Sequence, residues 1–134
     1  MALQQQILDL RDELTPLRAN DPRAVELADL YIASEVARGM SLQVASLQAA
    51  GRVPNYEASM VKLFSSELNQ RAANAAIRFL GPRATLLSGS HGYEAKDGRL
   101  ARGYLSVIPS TIAGGTSEVQ RNIIATRGLG LPRG

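Results

Sequence analysis

Two long apolar stripes at helical spacing restrict the fold of this chain more than any other feature. Apolar residues at intervals of three and four lie on one face of an α-helix. The first stripe comprises Val25, Ala28, Ile32, Val36, Met40, Val44 and Leu47. The second comprises Val61, Phe64, Leu68, Ala72, Ala75 and Phe79. We therefore expect two long helices whose stripes face a common core.

Start and stop signals bound both helices. Asp21-Pro22 opens the first, because an Asp ahead of the first turn accepts free backbone N–H bonds and a Pro fits the first helical position. This helix should end near Gly51. Pro54-Asn55 opens the second helix, which should stop at Gly81-Pro82. Only a few residues join the two helices, so we expect them to pack antiparallel.

Shorter helices should complete the fold, because no segment alternates apolar and polar residues as a strand does. One helix is expected over residues 3–14, ahead of Pro16, and a weaker one over residues 99–112, interrupted at Pro109. A last helix should begin at Thr116 or Ser117 and end near residue 127. The prediction is an all-α, four-helix-bundle-like fold.

Length and the remaining segments define the domain. A chain of 134 residues fits one domain, which we place at residues 1–134. Residues 83–98, with their Ser-Gly-Ser-His-Gly run, read as a loop or an insertion long enough to have a function. His91 within it is more typical of a solvated loop residue than of a catalytic one.

Composition excludes several classes of site. The chain has no cysteine and a single histidine, which excludes disulfide frameworks and thiol nucleophiles and predicts no metal site. No apolar run reaches the ~20 residues of a membrane span. The polar start, residues 1–12, does not resemble a secretory signal, so the sequence predicts a cytoplasmic protein that does not bind membranes.

Charge is uneven along the chain. Residues 1–98 carry ten basic and eleven acidic side chains, a net charge of −1, whereas residues 99–134 carry five arginines against Glu118, a net charge of +4. Six aromatic residues are few for stacking on single-stranded nucleic acid, so we predict no nucleic-acid partner. A third hypothesis for the function, and the weakest, is that the basic C-terminal segment binds phosphate-rich ligands.

The apolar residues of both long helices extend beyond one face. Leu30, Tyr31, Ala33 and Ala37 lie off the first stripe, and Met60, Leu63 and Ile77 lie off the second. Extra apolar surface indicates either a partner protein or helices surrounded by others within the bundle. The sequence supports the two explanations equally.

The segment Gly114–Gln120 is the part of the chain whose local chemistry points to a ligand. Paired glycines allow close approach, and a helix start presents free N–H groups. Ser117 and Gln120 have capping-box spacing, and Thr116 is placed to cap one residue earlier. Taken alone, these residues favour a capped structural turn over a ligand site.

A longer run carries a resemblance. Residues 114–125, Gly-Gly-Thr-Ser-Glu-Val-Gln-Arg-Asn-Ile-Ile-Ala, with Arg127 and the Leu-Gly-Leu-Pro-Arg of 129–133, resemble the C-terminal signature of the acyl-CoA dehydrogenase family. A weaker likeness covers residues 21–82, and the spacing is most similar to bacterial members acting on fatty or steroid side chains. The resemblance implies the helical last third of a subunit that binds FAD and oxidises the Cα–Cβ bond of an acyl-CoA thioester.

The resemblance also implies site residues. It places FAD contacts at Gly115, Thr116, Ser117, Glu118 and Val119. It implies no catalytic residue, because Gly114 stands where many members carry a Glu base, and others keep the base on an earlier helix, which would lie upstream of Met1. Arg78 lies in the turn that meets the partner subunit's FAD in the family, and it is able to pair with phosphate.

Two functions follow as hypotheses. In the first, the chain is the C-terminal domain of a dehydrogenase, inactive alone, with acyl-CoA as the substrate of the complete enzyme and a homo- or hetero-oligomer formed through the bundle. In the second, it is a non-catalytic assembly module or a truncated partner subunit of a dehydrogenase complex. Bound flavin distinguishes them.

Overall fold

The computed structural model describes residues 2–18 and 20–133, and these contain helices and turns but no strand. The five α-helices are α1 (Ala2–Leu14), α2 (Pro22–Ala49), α3 (Tyr56–Leu80), α4 (Arg99–Val107) and α5 (Ser117–Ile123). Short 3-10 segments cover Gly81–Thr85, Ala95–Gly98 and Ile108–Thr111, and α5 continues into a π-helical turn at Ile124–Gly128. The all-α prediction is confirmed. Met1, Ala19 and Gly134, which the predicted 1–134 domain includes, lie outside the described residues.

The long helices begin and end close to the expected residues. The Asp21 carboxylate accepts a hydrogen bond from the Arg23 backbone N–H at 2.9 Å, and Pro22 occupies the first helical position of α2. Gly51 has a φ of +72°, which glycine adopts without strain and which ends α2. Beyond α4, Pro109 lies in a 3-10 segment, so the expected interruption of that helix is present.

Contacts at both ends show that α2 and α3 run antiparallel. Glu26, in the first turns of α2, forms an ion pair with Arg78, near the end of α3. At the other end, Met40 of α2 and Tyr56 and Met60 of α3 line one small cavity of about 220 Å³. The predicted antiparallel pair is therefore confirmed.

Helix α3 is the central element, because it packs against each of the other four helices. The second stripe faces the interior as expected, with Leu68, Ala72 and Ala75 each at most 2% exposed. Two residues off that stripe, Ala73 and Ala76, are equally buried. Small side chains on several faces let neighbouring helices approach closely, which explains the extra apolar residues of this helix.

The first stripe faces the core only in its second half, where Met40, Val44 and Leu47 are half-buried, so the prediction is wrong for its first half. Val25 and Ile32 are 63% and 61% exposed. The buried residues of α2 are Leu27, Leu30, Ser34 and Ala37. Its leucines belong to the same core cluster as Ile7 and Leu10 of α1 and Leu68 of α3. The two leucines thus point to the core, and the branched residues in the first half of the stripe, Val25, Ile32 and Val36, are exposed.

The segment between α3 and α4 is tied to the end of α1. The Glu13 carboxylate accepts hydrogen bonds from the Arg83 side chain and the Lys96 backbone N–H, both at 3.1 Å. Gly98 has a φ of +67°, and a Cβ there would lie 2.4 Å from the Ser88 nitrogen. This long excursion therefore closes tightly on itself and on α1.

Among the described residues, every helix falls short of the length or the apolar character that a membrane span requires.

Candidate functional site

The start of α5 is capped by Thr116. Its Oγ1 accepts a hydrogen bond from the Val119 backbone N–H at 3.3 Å, and its backbone is extended, as a capping residue requires. The capping-box interpretation of Ser117 and Gln120 is wrong, because the Gln120 side chain is buried and donates instead to the Gly114 carbonyl at 2.9 Å. The cap therefore lies at the earlier of the two positions that the sequence allowed.

Different structural constraints require glycine at the two paired positions, Gly114 and Gly115. Both have positive φ angles, +71° at Gly114 and +98° at Gly115, a region that L side chains rarely adopt. A Cβ at Gly115 would also lie 2.6 Å from Nε2 of Gln120, whereas a Cβ at Gly114 would have no neighbour within 4 Å. The group that closely approaches Gly115 is therefore the side chain of Gln120.

A lysine from the central helix completes the turn. Lys62 Nζ donates a hydrogen bond to the Gly115 carbonyl at 2.5 Å, linking residues 53 positions apart. Sequence reasoning missed this residue, because no local spacing connects α3 to the turn. Its one signal is that Lys62 is one of only two lysines in the chain and lies within an otherwise apolar part of α3.

The five residues predicted to contact FAD form one continuous edge. Gly115, Thr116 and Ser117 are half-buried, and Glu118 and Val119 are exposed. The edge carries the hydroxyl groups of Thr116 and Ser117, whereas the N–H groups of Glu118 and Val119 are already bound, to the Glu118 carboxylate and to Thr116 Oγ1. Such an edge suits oxygen and nitrogen acceptors on a ligand.

Glu118 is held in its charged form. Its own backbone N–H, then the Thr116 hydroxyl, lower the pKa of its carboxyl, with weaker attraction from Arg121 and Lys62. A general base works best with a pKa near the working pH. The lowered pKa makes this carboxylate a weaker base than an ordinary glutamate.

Four of the five arginines of residues 99–134 are bound to separate partners. Arg121 pairs with Glu67 at 2.5 Å, and Arg99 pairs with Asp9 at 2.9 Å. Arg127 donates to the Asn55 side chain at 2.8 Å, and Arg102 to the Asp97 carbonyl at 2.9 Å. Their net charge of +4 is thus dispersed, which does not favour the phosphate-binding interpretation of this region.

Two other sequence candidates lie away from the turn. Arg78 forms an ion pair with Glu26 and lies over the ring of Phe79, 5.3 Å from its centroid. His91 is exposed in the loop before α4. Neither side chain joins the edge at residues 115–119.

A cavity of about 620 Å³ lies between α1 and α2 and shares no residue with the turn. Its lining is mainly apolar, with Ile7 and Leu27 at its buried side and Tyr31 at its rim. This cavity is not a candidate for the chemical site, because its lining lacks the converging polar groups that orient a ligand.

Comparison with known sequences gives a match along nearly the whole chain. Residues 5–129 match the family described as acyl-CoA dehydrogenase, C-terminal domain. Acyl-CoA dehydrogenase FadE26 of Mycobacterium tuberculosis is 37% identical over 113 residues, which are 81% of this chain and 28% of that protein. A probable acyl-CoA dehydrogenase of Bacillus subtilis, YngJ, is 36% identical over 100 residues, 75% of this chain and 24% of that protein. The chain thus spans about a quarter of these relatives.

Solved structures show the same arrangement of helices. A chain of the ChsE4-ChsE5 complex from Mycobacterium tuberculosis superposes with a TM-score of 0.85 at 28% identity, over 98% of this chain and 35% of that one. A steroid ACAD, Tcur3481-Tcur3483, superposes with a TM-score of 0.84 at 22% identity, over 99% of this chain and 34% of that one. At the lower identity the likeness concerns the fold alone.

Proposed function

Since the chain belongs to the acyl-CoA dehydrogenase family and matches its C-terminal domain over residues 5–129, we propose that it supplies the helical bundle of an FAD-dependent dehydrogenase. The complete enzyme would remove hydrogen from the α and β carbons of an acyl-CoA thioester. The observation that carries the proposal is the hydroxyl-bearing edge at Gly115–Val119, which the bundle holds at its surface.

The residues of this edge fit a flavin. Thr116 and Ser117 offer hydroxyl groups, and the backbone offers the N–H of Ser117, the first residue of α5. These groups match the oxygen and nitrogen acceptors that line a flavin ring and its side chain. When bound, FAD would accept the hydride, and the protein would hold and orient it.

The two candidate positions for a carboxylate at the turn do not supply a base. Gly114 has no side chain, and the Glu118 carboxyl has a lowered pKa. We therefore expect no turnover by the chain alone. When the chain is added to octanoyl-CoA, FAD and a dye acceptor, the dye should be reduced no faster than without the chain. Faster dye reduction that is lost in Glu118→Gln would contradict the proposal.

A chimera tests the contribution to FAD binding. Residues 5–129 would replace the matching C-terminal part of FadE26, and the purified protein should retain visible flavin absorbance. Ser117→Ala and Val119→Asp in this chimera should lower the flavin content, whereas Thr126→Val, in the turn after α5 where the hydroxyl bonds the Asn122 carbonyl, should not. A folded, colourless chimera would contradict the FAD role.

Assembly through the bundle is the second part of the proposal. The outward stripe of α2 leaves branched apolar side chains in water, which is typical of a surface that a partner covers. The ChsE4-ChsE5 structure is described as a complex, which agrees with a partner subunit for a chain of this fold.

The lack of a base at these two positions supports the alternative function, a non-catalytic assembly module or truncated partner subunit. That alternative predicts a chain that co-purifies with a dehydrogenase subunit and adds no flavin to it. The flavin content of the chimera separates the two functions.

A further inference from the structure

The connection between α3 and α4, residues 83–98, is fastened to one face of α1 by charge. Three carboxylates of α1 lie on that face, because residues three and four positions apart on a helix are neighbours. Each carboxylate is paired with a cation of the connection or of the first residue of α4, the pairs being Glu13–Arg83 at 3.1 Å, Asp12–Lys96 at 3.4 Å and Asp9–Arg99 at 2.9 Å. The end of α1 and the connection are thus joined by several ion pairs.

Lys96 is held by α1 at both ends of the residue. Its backbone N–H donates to the Glu13 carboxylate at 3.1 Å, and its Nζ donates to the Asp12 carboxylate. The φ angle is +46° at Lys96 and +53° at Asp97, which follows it. Residues other than glycine rarely adopt this region, and they stay in it only where the surrounding structure enforces it. The carboxylates of α1 therefore hold an unfavourable backbone conformation in place.

Glu94 adds a second cost to the closed connection. Its Oε1 accepts a hydrogen bond from the Gly89 N–H at 3.1 Å, whereas its Oε2 is buried and lacks a hydrogen-bond partner in the part of the chain that the structure describes. A buried acceptor without a partner is unfavourable, and water would satisfy it if the connection opened. The connection is therefore closed by its bonds to α1 and against part of its own local preference.

The opposite side of α1 is loosely packed. A cavity of about 620 Å³ lies between α1 and α2, where Leu8 and Arg11 form part of its lining. Ile7 and Leu10 anchor α1 in the core, but none of residues 11–14 is fully buried. Segments with few buried apolar side chains open at a lower free energy than the core. The end of α1 therefore depends on its charged bonds.

We propose that the end of α1 and residues 83–98 form an electrostatic clasp, which opens as one unit when ions screen its carboxylates, while α2 and α3 stay folded. Opening relieves the backbone at Lys96 and hydrates Glu94, so part of the lost attraction is offset. The connection leads directly into α4, so the open clasp also frees the start of that helix. This device responds to ionic strength and does not depend on the proposed function.

Amide hydrogen exchange of the whole chain, followed by nuclear magnetic resonance at neutral pH, tests the clasp. Raising NaCl from about 0.1 M to about 1 M shortens the screening length from ~10 Å to ~3 Å. The protection factor of the Lys96 amide should then fall about tenfold, the effect of losing one hydrogen bond to a charged group. Glu13→Gln should produce this fall already at low salt. Glu13 is the residue to change, because Asp12 is shared with Arg11 of its own helix.

Glu57→Gln is the matched control. The Glu57 carboxylate also accepts a backbone N–H bond, from Asn55 at 3.0 Å, but it lies at the start of α3. This variant should leave the protection of Lys96 unchanged. Protection at Lys96 that either salt or Glu13→Gln fails to lower would overturn the clasp, as would an equal fall in Glu57→Gln or throughout α3. If Glu13→Gln does not fold, Asp12→Asn gives the same comparison.

A second pair of variants tests the backbone of the clasp. Lys96→Ala and Lys96→Gly both lose the Nζ bond to Asp12, but only glycine adopts a positive φ without strain. The amide at position 96 should therefore be better protected in Lys96→Gly than in Lys96→Ala. Equal protection or the reverse order would overturn a clasp that holds its connection against backbone strain.

Discussion

Helices α2 and α3 carry apolar stripes of similar length and spacing, yet the first half of the α2 stripe faces water, whereas the α3 stripe faces the core. Ile32, in the middle of the first stripe, is 61% exposed, and Leu68, in the middle of the second, is 2% exposed. Helix α3 packs against four helices, whereas the main neighbours of α2 are α1 and α3. Periodicity therefore identifies an apolar face, and the number of neighbouring helices decides whether the bundle buries it.

The difference also concerns side-chain size. Around its most enclosed part, α3 presents Ala72, Ala73, Ala75 and Ala76, which allow close helix approach. Helix α2 turns Leu27 and Leu30 inward, and each fills a groove that a smaller residue would leave empty. A central helix benefits from small residues on several faces, and an outer helix from large residues on one.

The largest effect should come from truncating the central stripe. Leu68→Ala should lower the free energy of unfolding by about 2–5 kcal/mol, because it leaves a cavity in the core. Ile32→Ala should change it by no more than about 0.5 kcal/mol, because this side chain is exposed. Urea unfolding followed by circular dichroism measures both, and similar losses would break the comparison.

The outer stripe should matter for assembly instead. Sedimentation of the chain should show a dimer or a larger species, and Ile32→Glu should convert it to monomer with the helical content unchanged. Gln48→Glu, an equal charge change at an exposed position of α2, should leave the assembly intact. A clean monomer of the unmodified chain would contradict assembly through this face.

A smaller effect is expected at the start of α5, which packs on the central helix. Thr116→Ala should lower the free energy of unfolding by about 1 kcal/mol through loss of the cap. Ser117→Ala, at the position that the capping-box spacing favoured, should be close to neutral. Chemical denaturation of the two variants side by side checks this, and the opposite order would place the cap at Ser117.

The smallest effect concerns pH at the start of the outer helix. The Arg23 side chain, then its backbone N–H, lowers the pKa of Asp21 to about 2. Because the folded pKa lies below the unfolded one, the stabilisation is present above about pH 4 and is lost as the pH falls toward 2. The Tm difference between the chain and Asp21→Asn should therefore shrink over this range. A constant difference would exclude this coupling.

Local chemistry predicted much of the site. The glycines, the helix start and the alternative cap at Thr116 are adjacent in sequence, so short-range rules reach them. The bond from Lys62 to Gly115 lies beyond such rules, since the two residues are 53 positions apart and meet only when α3 packs against the turn. Gln120 was assigned to the wrong partner, because spacing does not show that its side chain is buried.

By itself the sequence determined which segments are helical and where they end, because Asp21-Pro22, Gly51 and Gly81-Pro82 act on their own backbone. It also determined the likeness to a family, through the continuous run at residues 114–125. The tertiary structure alone decided which face of α2 is buried and which side chains bind the carbonyls of the turn. Both depend on packing between segments distant in sequence, where a groove of fixed volume and a donor on another helix select one arrangement among several that local rules allow equally.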